Sequence, residues 1–186
     1  MHTTILYEST NLTPLSKTIN NELLKRFTPT NHLQCLGIDS HTIKPCIGCY
    51  GCWFKSPGKC TLSDSLISKT NAAFVQSDLL LIVSPIYYGC YSYPMKALFD
   101  HTISNILPFF TTYKNEVHHV HRYKKLANQI ILAYGDDLLP EEKETFLALT
   151  KANATNYCID DPKVYFCTNE SEINTLLDQI EAFINN

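Results

Sequence analysis

Glycine is scarce, with 6 residues in a chain of 186. The two glycine-rich phosphate signatures, GxGxxG and the Walker A loop, are both missing. Their absence argues against a dinucleotide Rossmann site and against a nucleoside triphosphatase. Charge is also scarce. Charged residues make up 18% of the chain and the net charge is −3. The isoelectric point is near 6.1. Such a chain offers no strong basic patch, so neither nucleic acid nor a membrane is expected as a partner. No apolar run is long enough to cross a bilayer, Leu79 to Val83 being the longest. No cationic stretch followed by a long apolar run opens the chain, so no signal peptide is expected. The expected location is therefore cytoplasmic, a reducing compartment. There the 8 cysteines read as thiols or metal ligands and not as a disulfide framework.

What the sequence does hold is apolar residues, 45% of the total, enough for a substantial core in one domain spanning residues 1–186. Short apolar runs alternate with helix-like segments. Thr3 to Tyr7 reads as a first strand, and Leu15, Ile19, Leu24 and Phe27 then recur at helical spacing. Leu33 to Ile38 reads as a second strand. Ser63 to Gln76 reads as a helix with Ser63 as its cap. Leu79 to Val83 lacks polar alternation, which suits a strand covered on both faces. Pro94 opens a helix carrying Met95, Leu98, Ile103 and Leu107. From Pro108 to Lys125 the pattern fails, and a long surface loop or broken helix is expected. Gln129 to Ala133 is a strand, Pro140-Glu141-Glu142 starts a helix, and Val164 to Cys167 is the last strand. Ile173, Leu176, Leu177, Ile180 and Phe183 make the apolar stripe of a final helix. Strands separated by helices predict right-handed parallel crossovers. The expected class is α/β, a doubly wound five-stranded parallel sheet in the order 2-1-3-4-5.

In such a sheet, ligands bind outside the carboxyl ends of the strands. Three segments there have a matching chemistry. Ser9 to Ser16, between the first strand and its helix, offers backbone N–H groups, a favourable dipole and short polar side chains to an anion. No acid lies between Ser9 and Asn21 and no base lies before Lys17. Simple capping by Thr13, with Pro14 behind it, accounts for the same residues equally well. Ser84-Pro85-Ile86-Tyr87-Tyr88-Gly89 is aromatic and ends in glycine, suited to packing a flat ring or to an ordinary turn. Tyr134-Gly135-Asp136 follows the fourth strand.

Ser84-Pro85-Ile86-Tyr87-Tyr88-Gly89, followed by Pro94-Met95-Lys96-Ala97-Leu98-Phe99-Asp100, resembles the NADPH-dependent FMN reductases of the flavodoxin-like superfamily. The resemblance covers most of the chain. It implies that Ser9, Asn11 and Ser16 cradle the FMN phosphate, that Pro85, Ile86, Tyr87, Tyr88 and Gly89 meet the isoalloxazine, and that Tyr134, Gly135 and Asp136 border it. Glu8-Ser9-Thr10-Asn11 stands where that family usually has Gly-Ser-Pro-Arg. The resemblance further implies an oxidoreductase that takes electrons from NAD(P)H and passes them through flavin to a quinone, another small molecule or a protein. It implies a homodimer as well. An electron carrier without its own substrate pocket, or a thiol or metal redox sensor without flavin, are the alternatives. The flavin supplies the chemistry, so no catalytic acid or base is named.

Cys46-x2-Cys49-x2-Cys52-x7-Cys60, in a loop over residues 45–60, is the densest chemical signal. Four thiolates at such steps can close on one soft metal centre, and the short steps suit an iron–sulfur cluster. They resemble the motif of the iron–sulfur flavoproteins, which implies a [4Fe-4S] centre. The fuller string Pro45-Cys46-Ile47-Gly48-Cys49-Tyr50-Gly51-Cys52-Trp53, then Pro57-Gly58-x-Cys60, also resembles family members for which no cluster is implied. Bare thiols are weighed above the cluster, and a structural zinc below both. Trp53 and Phe54 are expected to pack this loop down or to wall the flavin cleft. His118, His119, His121, Arg122, Lys124 and Lys125 could meet nicotinamide phosphates or a metal, but a solvated loop is the expected reading. No Cys-His or Ser-His-Asp arrangement can be argued from spacing.

Overall fold

The computed structural model describes residues 1–10, 12–62 and 64–185. Apolar side chains on alternate faces of buried strands force helices onto both sides of a sheet. Five strands run parallel: β1 (Thr3–Glu8), β2 (Leu33–Ile38), β3 (Leu79–Tyr87), β7 (Asn128–Tyr134) and β8 (Lys163–Cys167). Their order is β2-β1-β3-β7-β8, which is 2-1-3-4-5 counted over the parallel strands. A short β4 (Cys90–Tyr91) adds antiparallel to the end of β3.

Leu79, Leu81 and Val83 of β3 point to one face, where α1 (Pro14–Arg26) and α6 (Ile173–Asn185) cover them with Leu15, Ile19, Leu23, Leu177 and Ile180. Leu80 and Ile82 point to the other, under α3 (Ser65–Gln76), α4 (Tyr93–His101) and α5 (Pro140–Tyr157), which bring Phe74, Met95, Leu98 and Phe146. Each fully buried Leu or Ile contributes about 1.5–3 kcal/mol relative to an exposed one, so the two faces fix the register of β3. Among the described residues no helix is long and apolar enough to cross a membrane.

Three expectations change. Residues 106–121 form a hairpin, β5 (Ile106–Tyr113) and β6 (Glu116–His121), where a loop or broken helix was expected. Lys114 and Asn115 turn it with φ of 50° and 64°. Leu107, assigned to the helix from Pro94, lies in β5, because α4 stops at His101 and gives way to a 3-10 turn. Ser63 lies outside the described residues. Asp64 caps α3 by accepting the Ile67 N–H at 2.8 Å.

Candidate functional site

β1, β3 and β7 end side by side. Tyr7 is in register with Val83, and Pro85 with Tyr134, so the turns that follow these strands share one rim. Glu8, Ser16, Tyr87 and Tyr134 meet there. The Ser16 side chain opposes part of the upward shift of the Tyr134 hydroxyl. Burial pushes both tyrosine hydroxyls up, and the Glu8 carboxyl beside them pushes the same way. Asp136 and Asp137 act on Tyr87 as well, which places the turn after β7 against the end of β3.

In the first loop the hydroxyls are engaged internally. Thr13 caps α1 by accepting the Ser16 N–H at 3.2 Å, and the Ser16 hydroxyl donates back to the Thr13 carbonyl at 3.0 Å. The Thr10 hydroxyl accepts the Ser40 N–H at 2.8 Å. The Ser9 N–H donates to Ile38. Asn11 lies outside the described residues. The N–H groups of Leu12, Thr13 and Leu15, at the positive end of α1, donate to no described residue.

The Ser84–Tyr87 segment is strand and not loop, because β4 pairs Ile86 with Tyr91 and Tyr87 with Cys90. Tyr88 and Gly89 are the two-residue turn between them, with φ of 53° and 73°. Ile86 is buried in the core, whereas Tyr88 is 95% exposed. A side chain on Gly89 would stand 2.7 Å from Thr145 of α5, so what needs glycine here is the turn and its approach to that helix. A shallow cavity of about 570 Å³ lies between Tyr88 and Asp137, Leu139 and Glu141.

Glu8 ends β1 at this rim. It is 6% exposed and its Oε2 makes no hydrogen bond. Burial raises its pKa above the usual carboxylate value, with the Ser92 hydroxyl opposing in part. The untaken N–H groups, the neutral first loop and the exposed tyrosines fit a flavin phosphate and a flat ring in polarity.

The cysteine loop lies between β2 and α3. Cys52 is buried in α2 (Gly51–Phe54), Cys46 and Cys60 are half-buried and Cys49 is exposed. Trp53 holds the loop down: its Nε1–H donates to Ile103 at 3.0 Å, and its ring packs on Tyr50 and His119. Phe54 is exposed. The Cys60 sulfur lies 3.4 Å from His101 Nδ1. Among the described residues no three His, Cys, Asp or Glu side chains are gathered to hold a metal ion. The histidine stretch is not the solvated loop expected. His118 is buried and meets Asn156 Oδ1 at 3.0 Å, and the His119 ring packs between Trp53 and Phe110.

No protein-family model matches the chain, and no curated protein matches it in sequence. Solved structures match its whole length. Smu.1420 from Streptococcus mutans UA159 is similar at a TM-score of 0.62 and 13% identity, covering 98% of both chains. An FMN-dependent NADH-azoreductase from Bacillus anthracis str. Ames Ancestor, in complex with FMN, gives 0.62 at 11% identity over 100% of both. An NAD(P)H:quinone oxidoreductase from Methanothermobacter marburgensis gives 0.60 at 11% identity, over 95% of this chain and 94% of that one. The fold is flavodoxin-like. In a flavodoxin-like sheet the strand order reverses between β1 and β3, and ligands bind at that switch point. Glu8, Ser16, Tyr87 and Tyr134 sit there.

Two residues at these sites were not found by sequence reasoning. Glu8 carries a signal, an acid at the end of an apolar strand. His101 carries none, because it stands 41 residues from Cys60.

Proposed function

We propose that this flavodoxin-like chain is an FMN-binding oxidoreductase that carries electrons from NAD(P)H to a quinone, another small molecule or a protein. The observation that carries the reading is the meeting of the turns after β1, β3 and β7 at the switch point. Solved structures of the same fold include an FMN-dependent azoreductase and a quinone oxidoreductase, which supports the same reaction class.

The phosphate would rest on the N–H groups of Leu12, Thr13 and Leu15, with Ser9 and Ser16 shaping the loop. The ring would lie against Tyr87, Tyr88 and Gly89, near Pro85 and Ile86 on one side and Tyr134, Gly135 and Asp136 on the other. Bound flavin supplies hydride acceptance and electron release. The chain would orient it, with the buried Glu8 carboxyl, its pKa raised above the usual carboxylate value, at the same rim. The exposed Phe109, Phe110 and Val117 of the β5–β6 hairpin offer an apolar face to a second copy, consistent with a homodimer.

The cysteine loop is read as thiols and not as a [4Fe-4S] ligand set, on the Cys60–His101 contact. Anaerobic purification tests both parts. A yellow protein that oxidises NADH or NADPH steadily fits the proposal. A protein that takes up no added FMN contradicts the oxidoreductase, and an added broad brown absorbance contradicts the thiol reading.

A further inference from the structure

The cavity of about 570 Å³ beside Tyr88 is acidic on one side and has no cation to balance it. Among the described residues its lining holds Asp137, Glu141 and Glu142, and no Lys, Arg or His. Glu142 is occupied, since its carboxylate accepts the Leu139 N–H at 3.1 Å. Asp137 and Glu141 are exposed and pair with no cation among the described residues. Lys143, two residues on from Glu141, keeps its Nζ over the Phe166 ring, 5.7 Å from the centroid. The positive end of α5 accounts for acids at Glu141 and Glu142, in its first turn. It does not account for Asp137, which precedes that helix by three residues.

The two nicotinamide donors differ at one place, the adenosine 2′ position. NADH has a hydroxyl there, and NADPH has a phosphate monoester of about −1.5 to −2 charge. A carboxylate only accepts, so it takes the O–H of a free ribose 2′-hydroxyl. The phosphate brings no such hydrogen at neutral pH, and holding it calls for a base. The cavity supplies acceptors and no base. The exposed Tyr88 and Leu139 on its other sides give the rest of a nucleotide a flat wall and an apolar one.

We propose that this rim takes NADH in preference to NADPH, and that Asp137 and Glu141 are the residues that select between them. The inference rests on the oxidoreductase reading and names the donor that serves the same rim. The two carboxylates act in both directions, accepting from the 2′-hydroxyl of one nucleotide and repelling the 2′-phosphate of the other. Their repulsion works across solvent. It therefore weakens with salt, as the screening length falls from about 10 Å at 0.1 M to about 3 Å at 1 M.

Two measurements on the full chain loaded with FMN test it. The first is kcat/KM for NADH and for NADPH, with neutral benzoquinone as acceptor. The second is calorimetric binding of the unreactive NAD⁺ and NADP⁺. The nucleotide without the 2′-phosphate should lead about tenfold in both at low salt, and the lead should shrink toward twofold near 1 M salt. Glu141→Lys and Asp137→Lys should each move the ratio about tenfold toward the phosphorylated nucleotide. Asp160→Lys makes the same change in net charge on the exposed turn before β8, at the opposite end of the sheet, and should leave the ratio in place. A ratio of one or below, a ratio indifferent to salt, or one moved equally by Asp160→Lys overturns the proposal. Oxidation of neither nucleotide overturns instead the oxidoreductase reading beneath it, and the binding ratio still decides the selection.

Discussion

The hydroxyl of Thr10 lies 2.8 Å from that of Ser40, fastening the loop after β1 to the loop after β2. Thr10 therefore acts by holding the loop in shape, since its hydroxyl is already engaged. Thr10→Ala should weaken FMN binding about 2–10-fold, the worth of one neutral hydrogen bond. Thr10→Ser should restore it. Flavin fluorescence titration of the three proteins reads the difference, and equal affinities would remove Thr10 from the account.

Glu8 predicts a pH dependence. Its folded pKa is raised above the ordinary value of 4.5 by burial. Folding therefore favours the protonated form, a contribution complete below that ordinary value and lost as pH rises through the folded pKa. Glu8→Gln, which cannot ionise, should raise the melting temperature at pH 7.5 and change it little at pH 4. Each kcal/mol is worth about 2–4 °C in a domain of this size. Melting curves at the two pH values check the sign. A variant less stable at both would show that Glu8 is ionised and paired.

Gly89 adopts φ of +73° and approaches Thr145. Gly89→Ala should cost about 1–2 kcal/mol for the left-handed backbone, plus the clash with Thr145. Thr145→Gly in the same chain removes both close atoms and should relieve only the second part. A double-mutant cycle by urea unfolding separates them, and full rescue would contradict the backbone assignment.

Phe146 is fully buried between the Tyr91 and Phe166 rings. Phe146→Ala should destabilise the chain by about 3–5 kcal/mol, read as a lower denaturant midpoint. A loss under about 1 kcal/mol would mean that the face beneath α5 can collapse into the space.

The parallel sheet was legible because Leu79 to Val83, Ile130 to Leu132 and the Ile173–Ile180 stripe pack strictly by period. The hairpin was not, because Phe109 and Phe110 face solvent, so no apolar alternation marks β5. β3 runs on past Val83 because the Tyr88-Gly89 turn brings β4 beside it, a pairing that alternation within β3 does not encode. The three rim segments were legible as strand-end turns. Their chemistry was partly hidden: Ser16 and Thr10 look like free phosphate ligands in sequence but are engaged inside the protein. The Cys60–His101 contact depends on where α4 ends against the cysteine loop, which no spacing records.

The phosphate cradle at the start of α1 is tested most directly by calorimetric titration of the full chain with FMN and, separately, with riboflavin. The two ligands share the ring and differ in the phosphate. FMN should bind one to one and riboflavin about 100-fold more weakly, the worth of a charged group on two or three backbone donors. Equal affinities, or no heat from either ligand, would contradict the account.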